Sequence, residues 1–206
     1  MTTTRPQRFV NTPRRAKAFT IGLFGSMLGA ALLATREPPP PALGDRVAPA
    51  GWRASFAPPA GWAYQGDKLA HNNGRVSTFA PQGSNHRSVD IGRIPVLADE
   101  SIEFICQQVL EDFNLLSFMG SPRQIHVTEA DFGDWSGVML EWTPELMGQI
   151  VGEHVFVVGA IAPAANPGDL REAYVIQFHS PAPVTHKDER LWGLILESIA
   201  TDPEAP

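Results

Sequence analysis

Residues 151–161, VGEHVFVVGAI, are apolar at both odd and even positions. A strand reads this way when it lies inside a sheet that is covered on both faces. The segments around it fit the same sheet. Ala173–His179 carries Tyr174, Ile176 and Phe178 on one side, and Ser136–Thr143 alternates Val138, Leu140 and Trp142 against Met139, Glu141 and Thr143. Gln124–Thr128 supplies a further strand, and Pro144 and Asn166-Pro167-Gly168 punctuate the connections. Strands that follow one another without intervening helices predict an antiparallel sheet.

Two amphipathic helices flank this run. From Ser101 to about Ser117, the residues Ile102, Ile105, Cys106, Val109, Leu110, Phe113 and Leu116 fall on one stripe. Asp99 or Ser101 can cap its start, and Gly120 and Pro122 end it. The second helix opens at Thr185, whose spacing to Asp188 is that of a capping box; Leu191, Trp192, Ile195 and Ile199 form its stripe. Two earlier β-type runs, Arg75–Ala80 and Ser88–Val96, follow the turn signal Asn72-Asn73-Gly74. In the second run Val89 and Ile91 share one face, and Arg93 is the next residue on it. The order predicts an α+β domain, an antiparallel sheet flanked by helices, over residues 51–202, with 203–206 as a tail.

The formal charge of −6 hides two unlike pieces. Residues 1–17 hold Arg5, Arg8, Arg14, Arg15 and Lys17 and no acid, so the remainder carries −11. This balance argues against a general nucleic-acid binder. Between the pieces runs the uncharged stretch 18–35, AFTIGLFGSMLGAALLAT, with Phe19, Ile21, Leu23, Phe24, Met27, Leu28, Leu32 and Leu33 as its apolar body. Its helical length of roughly 27 Å approaches the ~30 Å of a bilayer core. Basic residues before it and few after it place the N-terminus in the cytoplasm and the domain outside. A retained single-pass anchor, a cleaved signal and a buried helix remain open at this stage. A cut after Ala34 would put Leu32 where a small residue is wanted. Gly25 and Gly29 have small-xxx-small spacing, which could let two such helices dimerise; glycine-rich composition is the simpler reading. Residues 36–50, with Pro38–Pro41, read as a stiff polyproline stalk.

The phrase Phe56-Ala-Pro-Pro-Ala-Gly-Trp62 resembles the opening of PsbP-like domains. The long strand through Phe156, Tyr174-Val-Ile-Gln-Phe178 followed by Pro181, and the closing Ile195-Leu-Glu-Ser-Ile199 are similar to that family as well. The family includes photosystem II accessory proteins, and a Ran-binding nuclear import factor shares its fold. The resemblance spans about Trp52 to Thr201 and implies an α/β/α sandwich with an accessory, non-catalytic role. The metal-binding histidines of its photosynthetic members find no motif here.

Residue patterns with chemical potential are few, and no catalytic residue, cofactor or metal ligand is assigned. Cys106 sits in an apolar helix stripe, the setting of a core thiol and not of an activated one. Of the histidines, His126, His154 and His179 lie on strands and could meet across a sheet; His71, His86 and His186 show no ligand spacing. Glu129, Asp131 and Asp134 mark an acidic turn that is solvated by default. Ser136, in Gly133-Asp-Trp-Ser-Gly137, misses the nucleophile-elbow spacing by one residue. Among Trp52, Trp62, Trp135, Trp142 and Trp192, core filling is the default, with one or two as exposed anchors for a partner. The expectation is a membrane-anchored, non-enzymatic accessory or protein-binding domain outside the cytoplasmic membrane. The alternatives are a small-ligand binder or enzyme with a site assembled from distant residues, and an accessory subunit of a photosynthetic or respiratory complex.

Overall fold

The computed structural model describes residues 41–83, 87–112, 125–142, 145–146, 149–150, 153–164 and 166–201. Strand β10 (Arg171–Pro181) is buried from Ala173 to Ser180 because it is paired on both edges, with β4 (Ser88–Val96) and β9 (Glu153–Ile161). Outward from β4 lie β3 (Arg75–Pro81) and β2 (Trp62–Leu69). Outward from β9 lie β6 (Trp135–Trp142) and β5 (Ile125–Phe132). The result is a seven-stranded antiparallel sheet in the order β2-β3-β4-β10-β9-β6-β5. Two short pairs complete the described strands: β1 (Ala54–Ser55) with β11 (Ala200–Thr201), and β7 (Glu145–Leu146) with β8 (Gln149–Ile150).

Strand alternation sorts the apolar residues into two cores. Tyr174, Ile176 and Phe178 join Val89, Ile91, Phe156 and Val158 on one face, beneath helix α2 (His186–Glu197). There Trp192 stacks on Phe178 with centroids 6.0 Å apart and on Phe156 at 5.6 Å. On the other face helix α1 (Ile102–Asp112) lays Ile105, Cys106, Val109 and Leu110 over Leu140, Trp142, Val155, Val157 and Val175. Helix and sheet approach closely at Gly159, where a Cβ would come within 2.7 Å of both Cys106 Sγ and a Val175 methyl. The capping box of α2 forms as its sequence predicts: Asp188 N–H donates to Thr185 Oγ1, and Thr185 N–H to Asp188 Oδ2 at 3.2 Å. Phe113, Leu116, Gly120 and Pro122 lie outside the described residues, as does His86.

One boundary changes. Residues 41–50 are not stalk but the first arm of a strap folded onto the domain. Ala60 N–H donates to Ala42 O at 2.9 Å, Gly44 N–H to Pro58 O at 2.7 Å, and Val47 and Phe56 exchange bonds of 2.8 and 3.2 Å. Leu43 and Val47 pack on the α2-side core, and Arg46 donates to Ser55 Oγ at 3.0 Å. Prolines suit such an arm because its outer edge needs no donor. The folded unit therefore starts at Pro41, and the segment left between it and Thr35 is 36–40, REPPP. The apolar run 18–35, with Gly25 and Gly29, lies outside the described residues; among those described, no helix is long and apolar enough to cross a membrane.

Strand β2 escaped the sequence reading. A bulge between Tyr64 and Gly66 breaks its alternation, with Gly66 at φ +133°, and most of its side chains are exposed.

The α1 face also carries a polar row. Thr78, Asp90 and Gln177 stand directly opposite one another on β3, β4 and β10. All three are buried, Gln177 to 1% exposure. Thr78 Oγ1, Asp90 Oδ1 and both amide atoms of Gln177 find no hydrogen-bond partner among the described residues. His179 Nε2 lies 3.4 Å from Asp90 Oδ2 at the end of the row.

Two measurements test these features. A chain starting at Pro49 loses the arm that pairs with 56–60 and should unfold at least about 2 kcal/mol more easily than one starting at Pro41, by four lost backbone bonds; equal midpoints would return 41–48 to the stalk. Gln177→Leu keeps the volume and removes two unpaired buried atoms, so denaturant midpoints should hold or rise; a loss above about 1 kcal/mol would show that the amide is satisfied.

Candidate functional site

The register of the sheet brings several chain turns to one end: 71–74 between β2 and β3, 97–101 before α1, 133–134 between β5 and β6, and 166–170 before β10. The tip of the strap, Pro49–Trp52, folds over the α2 side of the same end. Between the tip and strands β2, β3, β4 and β10 lies a half-open groove of about 480 Å³. Its chemistry comes from Trp52, Asp67, Arg75, Ser77, Arg93 and Glu172.

Trp52 comes from the strap tip; the other five side chains are placed by strand parity. Arg93 follows Val89 and Ile91 along one face of β4, so the side that is core in mid-strand is groove at its end. Glu172 precedes Tyr174, Ile176 and Phe178 on β10 in the same way. The two meet: Arg93 Nε donates to Glu172 Oε1 at 2.8 Å, and the terminal guanidinium nitrogen pairs with the same oxygen. Glu172 holds the Arg93 pKa above its ordinary value through this bond. The other carboxylate oxygen accepts from the Tyr174 hydroxyl at 3.2 Å, which in turn accepts from Arg53 N–H at 3.2 Å. Burial raises the Tyr174 pKa, so the phenol stays a donor. Trp52 packs edge-on against Tyr174 with centroids 5.7 Å apart and forms the aromatic wall.

The opposite wall depends on the β2 bulge. Before it Tyr64 faces Phe79; after it Asp67 faces Ser77, and Lys68 pairs with Val76 toward the other side. Asp67 Oδ1 accepts from Ser77 Oγ at 2.7 Å. That bond, with a second from Tyr64 and the field of Arg75, lowers the Asp67 pKa. The rim at 71–74 is tied down by Glu100, which lies 2.7 Å from His71 Nε2 and accepts from Asn72 Nδ2 at 2.7 Å and Leu97 N–H at 2.8 Å. Asn72 and Asn73 hold φ of 53° and 59°, the left-handed region that asparagine tolerates.

The residues singled out in the sequence fall elsewhere. His154 and His179 do not meet: adjacent registers, His154 to Ser180 and Val155 to His179, send them to opposite faces, and His126 is exposed on β5. His154 lies 3.0 Å from Glu141, yet burial lowers its pKa and favours the neutral ring. Among the described residues no group of three or more His, Cys, Asp or Glu is placed to hold a metal ion. Cys106 is fully buried, and burial pushes its thiol far above the ordinary range. Glu129, Asp131 and Asp134 are exposed at the β5–β6 hairpin, and Ser136 is exposed beside them. Trp135, Trp142 and Trp192 are core, whereas Trp52 and Trp62 are half-buried.

Glu100 gives this end a pH dependence. Burial raises its pKa, but the bonds from Leu97, His71 and Asn72 outweigh burial and leave it below the ordinary value. A depressed carboxylate stabilises the folded state above its unfolded pKa and loses that contribution as pH falls through the folded value. Glu100→Gln should therefore lower stability at neutral pH, and the gap from the unaltered chain should close in acid; a gap that persists below the usual glutamate range would rule this out.

No family model matches the chain, and no curated protein matches it in sequence. Among solved structures, a Bacteroides thetaiotaomicron protein aligns with TM-score 0.45 at 13% identity, over 80% of this chain and 51% of its own. The fold is also similar to that of LpqN, involved in cell envelope biogenesis of Mycobacterium tuberculosis, with TM-score 0.50 and 12% identity over 82% of this chain and 88% of that one.

Proposed function

We propose that this chain is a membrane-tethered accessory domain of the cell envelope, held outside the cytoplasmic membrane and working by binding. The observation that carries binding is the end of the sheet where the groove opens. Its floor is a fixed ion pair and its wall an aromatic ring. Leu69, Leu97, Phe104 and Leu170 are exposed by 74, 55, 42 and 88% where β2, β4, α1 and β10 begin or end at that side. Exposed apolar side chains at the same end as a polar cleft suit a partner-binding end.

The tether rests on sequence: a basic segment, an 18-residue uncharged apolar run, then REPPP ahead of Pro41, where the described domain begins. LpqN's part in cell envelope biogenesis is compatible with this reading. The PsbP-like resemblance stays a proposal for the fold family and supports the same accessory role.

Cell fractionation tests the location. The full chain should sediment with membranes, resist extraction by high salt, and dissolve in detergent. Protease added outside spheroplasts should remove the folded domain, and the mature mass should retain residues 18–35. Recovery in the cytosolic fraction, or full protection from external protease, would end the proposal.

A further inference from the structure

We propose that the groove binds a small monocarboxylate with an apolar body, and that Arg75 grips its carboxylate. This deepens the binding reading above and rests on it. Arg75 and Arg93 stand directly opposite each other on β3 and β4 and face the same groove. Like charges so placed repel unless negative charge is set between or beside them. The groove's own carboxylates are already committed. Glu172 gives one oxygen to Arg93 and the other to Tyr174, and Asp67 is bonded by Ser77. The Arg75 side chain is exposed, lines the groove and makes no hydrogen bond or ion pair among the described residues, so its planar fork of donors is left to a ligand.

That fork matches a carboxylate in two parallel bonds. Asp67, close enough for its field to couple to Arg75, disfavours a second negative charge at the same place. A monoanion therefore fits better than a phosphate dianion. The body of the ligand has apolar surface to lie against, from Trp52, Pro49, Ala50 and Pro95. A volume of about 480 Å³ is at the small end of the range for ligand clefts.

Calorimetric titration of the full chain in neutral detergent tests this with two near-isosteric probes, N-acetylphenylalanine and its amide. The acid should bind saturably, and the amide roughly tenfold or more weakly. Binding of the acid should weaken with salt, and inorganic phosphate should compete poorly. Arg75→Gln should abolish the preference for acid over amide, while Arg75→Lys keeps part of it. Arg75 is exposed, and its repulsion from Arg93 is offset by attraction to Asp67. Arg75→Gln should therefore change the unfolding equilibrium constant by less than about fivefold, which is about 1 kcal/mol; a larger loss of stability would make Arg75 structural and overturn the assignment. Equal binding of acid and amide, or no saturable binding of either, also overturns it. Neither result bears on cell fractionation, which decides the tethered-domain reading separately.

Discussion

Strand β10 is bonded on both edges and buried on both faces, and the domain is arranged around that constraint. Its even residues must feed the core under α2 and its odd residues the core under α1, so two helices are needed and each must be apolar along one stripe. Where the covering layers stop, the same alternation delivers charged groups in place of aliphatic ones. Glu172 is the first inward residue of β10 and Arg93 the last large one of β4, and their pairing closes the sheet end that the helices leave open. The aromatic stack of Trp192, Phe156 and Phe178 holds the other end of that face. Core and groove are thus one row of side chains read at different points along a strand.

That continuity explains what could be read from sequence. The central strand from Glu153 to Ile161, the first helix stripe as far as Leu110, the stripe of α2, the Thr185 cap and the hairpin turns are local patterns, and each stands where its periodicity places it. Strand order was not legible, because nothing in β4 or β10 alone says that they pair across α1, β5, β6 and β9. Strand β2 was hidden by its own irregularity, and the strap by prolines that normally signal an unfolded linker. The groove left one trace, Arg93 continuing the apolar face of Val89 and Ile91. A cation on the inward side of a strand must find a carboxylate or solvent. Its partner, 79 residues further on, could come only from the register.

The bulge in β2 has an effect larger than its size. One extra residue exchanges which side chain faces inward, so the groove receives the carboxylate of Asp67 while Lys68 is turned to the other face. A regular strand would place a third cation beside Arg75 and Arg93. The buried row of Thr78, Asp90 and Gln177 runs the other way: there a regular register gathers polar groups where an apolar core would be more stable, a departure that proteins tolerate at few places.

The strap gives the domain a mechanical polarity. Its two arms are antiparallel, and the chain joins it at the open end of the hairpin, where Ala42 meets Ala60. Load applied through Pro41 would therefore act on one rung at a time, first Ala60 to Ala42, then Gly44 to Pro58, then the two bonds of the Val47–Phe56 pair. Bonds broken in series yield at lower force than bonds sheared together. The tip at Pro49–Trp52, which walls the groove, is the last part to lift. Modest tension on the N-terminal side would be absorbed by the outer rungs, and the wall of the groove would keep its shape until those rungs had opened.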